Sequence, residues 1–145
     1  MKYLIIIGKR LEDKNNKYLI YSNLGGSKME RAKLIVKKAY QALSDKKGED
    51  IKVIEIGKIS TVADYFVIAN GTNAPHVESL VDNVQEELLK EGIHTDRIEG
   101  VKSSGWILMD YNDVIIHVFA KEDRLFYDLE RMWRDGKEIS IEDLN

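Results

Sequence analysis

Apolar and polar positions are most sharply patterned over residues 105–119, where Trp106-Ile107-Leu108-Met109 and Val114-Ile115-Ile116-His117-Val118-Phe119 flank a polar break at Tyr111-Asn112. Two such runs around a short break predict a β-hairpin. A two-residue loop at Tyr111-Asn112 sets Asp110 opposite Asp113, Leu108 opposite Ile115 and Trp106 opposite His117. Strand side chains alternate between faces, so Ile107, Met109, Val114, Ile116 and Val118 share one wholly apolar side, which must be core. The other side carries Trp106, Leu108, Asp110, Asp113, Ile115, His117 and Phe119. An aromatic anchor, aliphatics and an acidic rim suit a protein-binding surface. A sheet covered on both sides, with Trp106 buried, fits the same pattern.

Elsewhere the periods predict the remaining elements. Over residues 30–44, Leu34, Ile35, Ala39, Ala42 and Leu43 recur at helical spacing, and Lys46-Lys47-Gly48 stops the helix. Ser27-Lys28-Met29-Glu30 reads as a capping box at its start. Residues 51–56 and 64–69 read as strands. Gly71-Thr72-Asn73 then opens a long helix with Pro75 in its first turn, the stripe Val77, Leu80, Val81, Val84 and Leu88, and Gly92 past its end. A short strand over 97–101 precedes the hairpin. Asp123 is expected to cap a last helix with Leu125, Phe126, Leu129, Met132 and Trp133 on one side, ended by Gly136. The order α-β-β-α-β-β-β-α predicts an α/β (α+β) domain: a mixed sheet of about five strands with three helices.

Composition narrows the function classes. With 145 residues, 43% of them hydrophobic, and one Pro, the chain buries the core of a single domain. No apolar run approaches the length of a membrane span. The absence of Cys removes disulfides and thiol chemistry and agrees with a cytoplasmic protein. His76, His94 and His117 have no metal-ligand spacing, and no cofactor is expected.

The net charge of −3 is unevenly divided. Residues 1–28 hold six Lys/Arg against two Asp/Glu, and residues 29–145 hold sixteen against twenty-three. That seam marks residues 1–28 as an N-terminal extension and 29–145 as the domain. Gly25-Gly26, whose codons can coincide with a ribosome-binding site, stands just ahead of Met29, so Met29 is expected to initiate the native product. An acidic body argues against gripping a phosphate backbone and favours a basic protein partner.

Catalytic sets are incomplete. Asp64, at a strand start, has the position from which nucleotidyltransferases hold metal, but Phe66 stands where the second carboxylate is needed. Gly71-Thr72-Asn73 at a helix start offers amides to an anion, as many strand-to-helix turns do. Ser60, Thr61, His117 and Asp110 form a triad only on paper, with no nucleophile-elbow context. A nucleotide-binding or nucleotidyltransferase-like enzyme is the alternative to a binding protein.

Asp64-Tyr65-Phe66-Val67-Ile68, Gly71-Thr72, Gly105-Trp106-Ile107-Leu108-Met109-Asp110, Val114-Ile115-Ile116-His117-Val118-Phe119 and Phe126-Tyr127-Asp128-Leu129-Glu130-Arg131-Met132-Trp133 occur here together and in this order. In these motifs the chain resembles the ribosomal silencing factor, or Iojap-like, family over about residues 30–135. Asn73 departs from the Ser that often follows Gly-Thr. The resemblance implies a nucleotidyltransferase-like fold that has lost its catalytic carboxylates, and no enzymatic activity. It implies binding to the large ribosomal subunit through its fourteenth protein, which blocks joining of the small subunit and lowers translation when nutrients are scarce. It further implies a homodimer when free, with no membrane contact and no sequence-specific nucleic-acid binding. Carried onto matching positions, the partner-binding surface is Trp106, Leu108, Asp110, Tyr111 and Asp113.

Overall fold

The computed structural model describes residues 28–100 and 105–144. The expected extension and the capping Ser27 lie outside these residues, except Lys28, which opens the first helix.

Helix α1 (Lys28–Asp45) buries Ala32, Ile35, Val36, Ala39, Ala42 and Leu43, the positions that recur every three to four residues. Strands β1 (Glu49–Glu55) and β2 (Tyr65–Gly71) follow, then helix α2 (Ala74–Lys90), β3 (Arg97–Glu99), β4 (Trp106–Asp110) and β5 (Val114–Ala120). They form a sheet in the order β3-β4-β5-β2-β1-β6, with β6 (Lys137–Ile139) on the far edge. Among the described residues only the central β2–β5 pair is parallel. Every residue of β2 is buried, as a central strand covered on both faces requires.

The sheet divides two apolar cores. On one side α1 and α2 close over Val67, Ala69, Ile107, Met109, Val114, Ile116 and Val118. On the other, Phe66, Ile68, Trp106, Leu108, Ile115 and Phe119 pack with Ile56, Val62, Ala63, Leu129 and Trp133. The hairpin therefore has no bare face.

The mixed α/β class holds, with three corrections. The sheet has six strands: β6 pairs antiparallel with β1 through Val53–Ile139 and Glu55–Lys137. Its Lys-Glu-Ile is too short and charged to carry a strand pattern. The third helix is interrupted at Asp128, whose φ of 47° ends α3 (Lys121–Tyr127) before α4 (Leu129–Met132) begins. The break turns Leu125, Phe126 and Met132 outward while Leu129 and Trp133 stay buried.

The hairpin register is also displaced by two residues. Trp106 pairs with Phe119, Leu108 with His117 and Asp110 with Ile115. The turn sits one position later, at Asn112-Asp113. There Asn112 takes a φ of 73°, and its amide donates to Asp110 Oδ1 at 2.8 Å. Asn tolerates this left-handed geometry better than Tyr111 would. A shift of two keeps each side chain on its face, so the division of the hairpin into two sides survives.

Candidate functional site

Each of the five residues expected to bind a partner is buried, none more than 6% exposed. Trp106 begins β4, where its ring stacks on Phe119 with centroids 5.2 Å apart and lies 4.7 Å from Tyr127. Its indole N–H donates to His117 Nδ1 at 3.2 Å. Leu108 is wholly enclosed in the second core. Asp110 Oδ1 closes the turn, and Oδ2 lies 3.8 Å from Arg97 Nε. Asp113 reaches Lys28 at 3.3 Å, and its carbonyl accepts from the amides of Asp64 and Tyr65. Tyr111 points the other way, into the core under α1 and α2, so it shares no face with Trp106. Of the two readings of the outer hairpin face, open or covered, the structure shows the second: α3, α4 and the β1–β2 loop cover it.

The entry to β4 is tightly fixed. Gly105 has a φ of 74°, and a Cβ there would fall 2.2 Å from Asp123 Oδ2. A side chain here would strain the left-handed backbone and push the Asp123 carboxylate aside.

What the hairpin withholds, its cover presents. Leu125 and Phe126 are 79% and 81% exposed, Met132 54% and Tyr127 40%. Phe126 meets Tyr127 edge-on at 5.2 Å, and Tyr127 rests on Trp106 and Phe119. The result is an apolar ledge whose buried floor is the Trp106 end of the hairpin. Periodicity assigned Leu125, Phe126 and Met132 to a buried stripe. Asp128 is the one signal of the break, because Asp is among the few residues that adopt the left-handed conformation.

Arg124 also escaped the sequence pattern. It lies buried between the layers, where Nη1 donates to the Asp50 carbonyl at 2.7 Å and to Asn70 Oδ1 at 2.9 Å. Its Nε donates to Glu130 Oε1 at 2.8 Å. One guanidinium thus ties α3 and α4 to the irregular start of β1, where Asp50 has a φ of 47°. An open hollow of about 620 Å³ beside it is lined by Glu49, Lys52, Lys121 and Asp128, among others.

The enzymatic alternatives do not assemble. Phe66 lies in the second core, 5.0 Å from Trp133 and 4.7 Å from His117, so no second carboxylate joins Asp64 on this strand. The start of α2 satisfies its own amides: Asn73 Oδ1 accepts from His76 N at 2.9 Å, and His76 Nδ1 accepts from Thr72 N at 2.9 Å. Ser60 Oγ accepts from the amide of Val62 at 3.1 Å. His117 is held by Trp106 inside the core, so the paper triad is not built. Among the described residues no group of three His, Asp or Glu is arranged to hold a metal ion, and no helix is long and apolar enough to cross a membrane.

Comparison with known proteins accords with this fold. The family model described as "Ribosomal silencing factor during starvation" matches residues 29–145. Ribosomal silencing factor RsfS of Bacillus subtilis is 38% identical over 104 residues, 72% of this chain and 88% of that protein. The RsfS of Halalkalibacterium halodurans is 34% identical over 104 residues, with 72% and 89% covered. A crystal structure of a Chromobacterium violaceum protein superposes with a TM-score of 0.68 at 34% identity, over 74% of this chain and 88% of that one. The chain belongs to the ribosomal silencing factor family.

Proposed function

We propose that this protein is a cytoplasmic repressor of translation that acts by docking and not by catalysis. In this reading it binds the large ribosomal subunit through the subunit's fourteenth protein, on the face that meets the small subunit, and so blocks joining when nutrients are scarce. When free it is a homodimer. Membership of the family supports the ribosomal setting, since relatives such as those of Bacillus subtilis and Halalkalibacterium halodurans carry the name ribosomal silencing factor.

The observation that carries docking is the ledge. Three consecutive large apolar side chains, Leu125, Phe126 and Tyr127, between 40% and 81% exposed, sit on a layer pinned by Arg124 and floored by Trp106, and Met132 is exposed on the next helix. Exposed apolar groups concentrated at one place mark interaction sites. The five hairpin positions keep a part in this proposal as its framework. Trp106 and Leu108 support the ledge from beneath, while Asp110, Tyr111 and Asp113 hold the turn at the far end of β4.

The test is co-sedimentation with salt-washed large subunits, followed by addition of small subunits. Wild type is expected to travel with large subunits and suppress joining. Phe126→Ala is expected to weaken binding by about 1–2 kcal/mol, the range of a substantial interface anchor. Its folding stability should stay within about 0.5 kcal/mol of wild type, as for an exposed side chain. Wild type that neither sediments nor affects joining would sink the proposal; normal binding by Phe126→Ala would remove the ledge from it.

A further inference from the structure

On the α1 side of the sheet, away from the ledge, the strands set three polar side chains in a row. Lys137 lies directly opposite Glu55, and Glu55 directly opposite Tyr65, across β6, β1 and β2. Directly opposed residues project to the same face. The packing of Tyr65 in the core under α1 fixes which face it is. Met29 and Lys33, one helical turn apart at the start of α1, close over this row. Ile139 and Leu144, the latter in the final turn (Ile141–Leu144), add apolar wall. Between them opens a hollow of about 420 Å³, within the range of small-molecule sites.

The polar groups of this hollow are only partly used. Tyr65 is 3% exposed, yet its hydroxyl donates to nothing better than the Met29 thioether, at 3.9 Å. Burial, then the nearby carboxylates of Glu55 and Asp64, push the phenol above its ordinary value, so it remains a donor. Asp64 owes its position to Gly57, where a Cβ would fall 2.8 Å from Asp64 Oδ1. Glu55 is answered by Lys58 at 3.4 Å, and Asp143 Oδ2 accepts from the Ser140 amide at 3.2 Å. Among the described residues, no hydrogen bond or ion pair engages the carboxylate of Asp64 or the ammonium groups of Lys33 and Lys137. Opposite charges that share a hollow without meeting suit a ligand that carries both. The three carboxylates in the lining oppose a polyphosphate, and the three ammonium groups oppose a free cation.

We propose that this hollow binds a free α-amino acid with an apolar side chain. Its ammonium group sits at Asp64, and its carboxylate lies between Lys33 and Lys137, with the Tyr65 hydroxyl as a further donor. Its side chain rests along Met29, Ile139 and Leu144. The site lies across the sheet from the ledge and does not rest on the ribosomal reading.

The test is isothermal titration calorimetry of the full chain with leucine, methionine and glycine, beside N-acetyl-leucine, leucine amide and inorganic phosphate. Leucine and methionine are expected to bind, and glycine to bind more weakly, having no side chain for the apolar wall. Blocking either end of leucine should weaken binding about tenfold or more, the worth of a hydrogen bond to a charged group. Asp64→Asn and Lys137→Gln should each lose as much, while Lys121→Gln, beside the Arg124 hollow, should follow wild type. Melting checks the folding of each variant. Lys137 is exposed, so Lys137→Gln keeps the test decisive even where Asp64→Asn fails to fold. The proposal fails if neither leucine nor methionine binds at millimolar concentration, or if both blocked forms bind as well as leucine. It fails equally if folded Lys137→Gln binds leucine as wild type does, or if phosphate binds better than leucine. Co-sedimentation with large subunits is scored separately, since a protein that fails there can still bind leucine.

Discussion

The two sides of the sheet are built differently. Under α1 and α2 lies a thick, sealed layer: two helices of 18 and 17 residues direct continuous apolar stripes at the strands. Under α3 and α4 the cover is two short helices of seven and four residues, broken at Asp128, with large apolar side chains on both surfaces. A long amphipathic helix spends its apolar side chains on the core and shows water a polar face. A short broken segment lacks that division, so Leu129 and Trp133 seal the sheet while Leu125 and Phe126 stay outside. The thin side is therefore the one that shows large apolar side chains to solvent, even though the hairpin beneath is as buried as on the thick side.

The largest expected effect tests whether the thin layer truly seals. Trp106→Ala empties a site bounded by Phe119, His117 and Tyr127. A loss of about 3–5 kcal/mol in folding stability is expected, as for a core aromatic. Denaturant unfolding beside ribosome binding makes the check. A variant as stable as wild type would mean that Trp106 is not core, and the contrast between the two sides would have to be redrawn.

Next in size is the tie that holds the thin layer down. Arg124→Ala leaves Glu130, Asn70 and the Asp50 carbonyl without their shared donor. Removing one partner of a buried ionic network costs about 3–5 kcal/mol. Here the adjoining hollow admits water and Asp50 is exposed, so about 2–3 kcal/mol is expected. Hydrogen exchange should report the loss first in α3 and α4. Uniform loosening of α1 and α2 instead would show that Arg124 serves the whole fold.

The smallest effect concerns a flaw in the sealed side. Tyr111 is buried there, and its hydroxyl has no hydrogen-bond partner among the described residues. Burial pushes the phenol up to about 12. Its folded-state value is thus above its unfolded one, so its contribution to stability is complete below about pH 10 and is lost as pH climbs toward 12. Tyr111→Phe is expected to gain about 1 kcal/mol near neutrality by removing an unsatisfied buried hydroxyl. Its stability should also fall less steeply than wild type over that alkaline range. Identical alkaline profiles for the two proteins would refute the assignment.

Much of this was legible from pattern because long elements carry many votes. Helices α1 and α2 repeat their apolar period over four turns or more, and the hairpin alternation sorted both strands correctly despite a register displaced by two. The same arithmetic hid that displacement, since period two is blind to even shifts. Three-residue β6 offered no period at all. Alternation at Trp106 established that the hairpin has two faces, but what covers each is a tertiary fact. A helix-compatible stripe over 125–133 pointed inward on paper and outward in space because one residue, Asp128, leaves the helical conformation.

Gly105 sets a boundary on how such a protein can change. The strand that floors the ledge is entered through a left-handed position where any side chain would strain the backbone and displace the Asp123 carboxylate. Leu125, Phe126 and Met132, by contrast, project into solvent and bear little on the fold. Substitution there is expected to leave stability nearly untouched. On the proposed docking role, preference for a partner and soundness of the scaffold are free to evolve separately, with the seam between them at Tyr127, where ledge and floor meet.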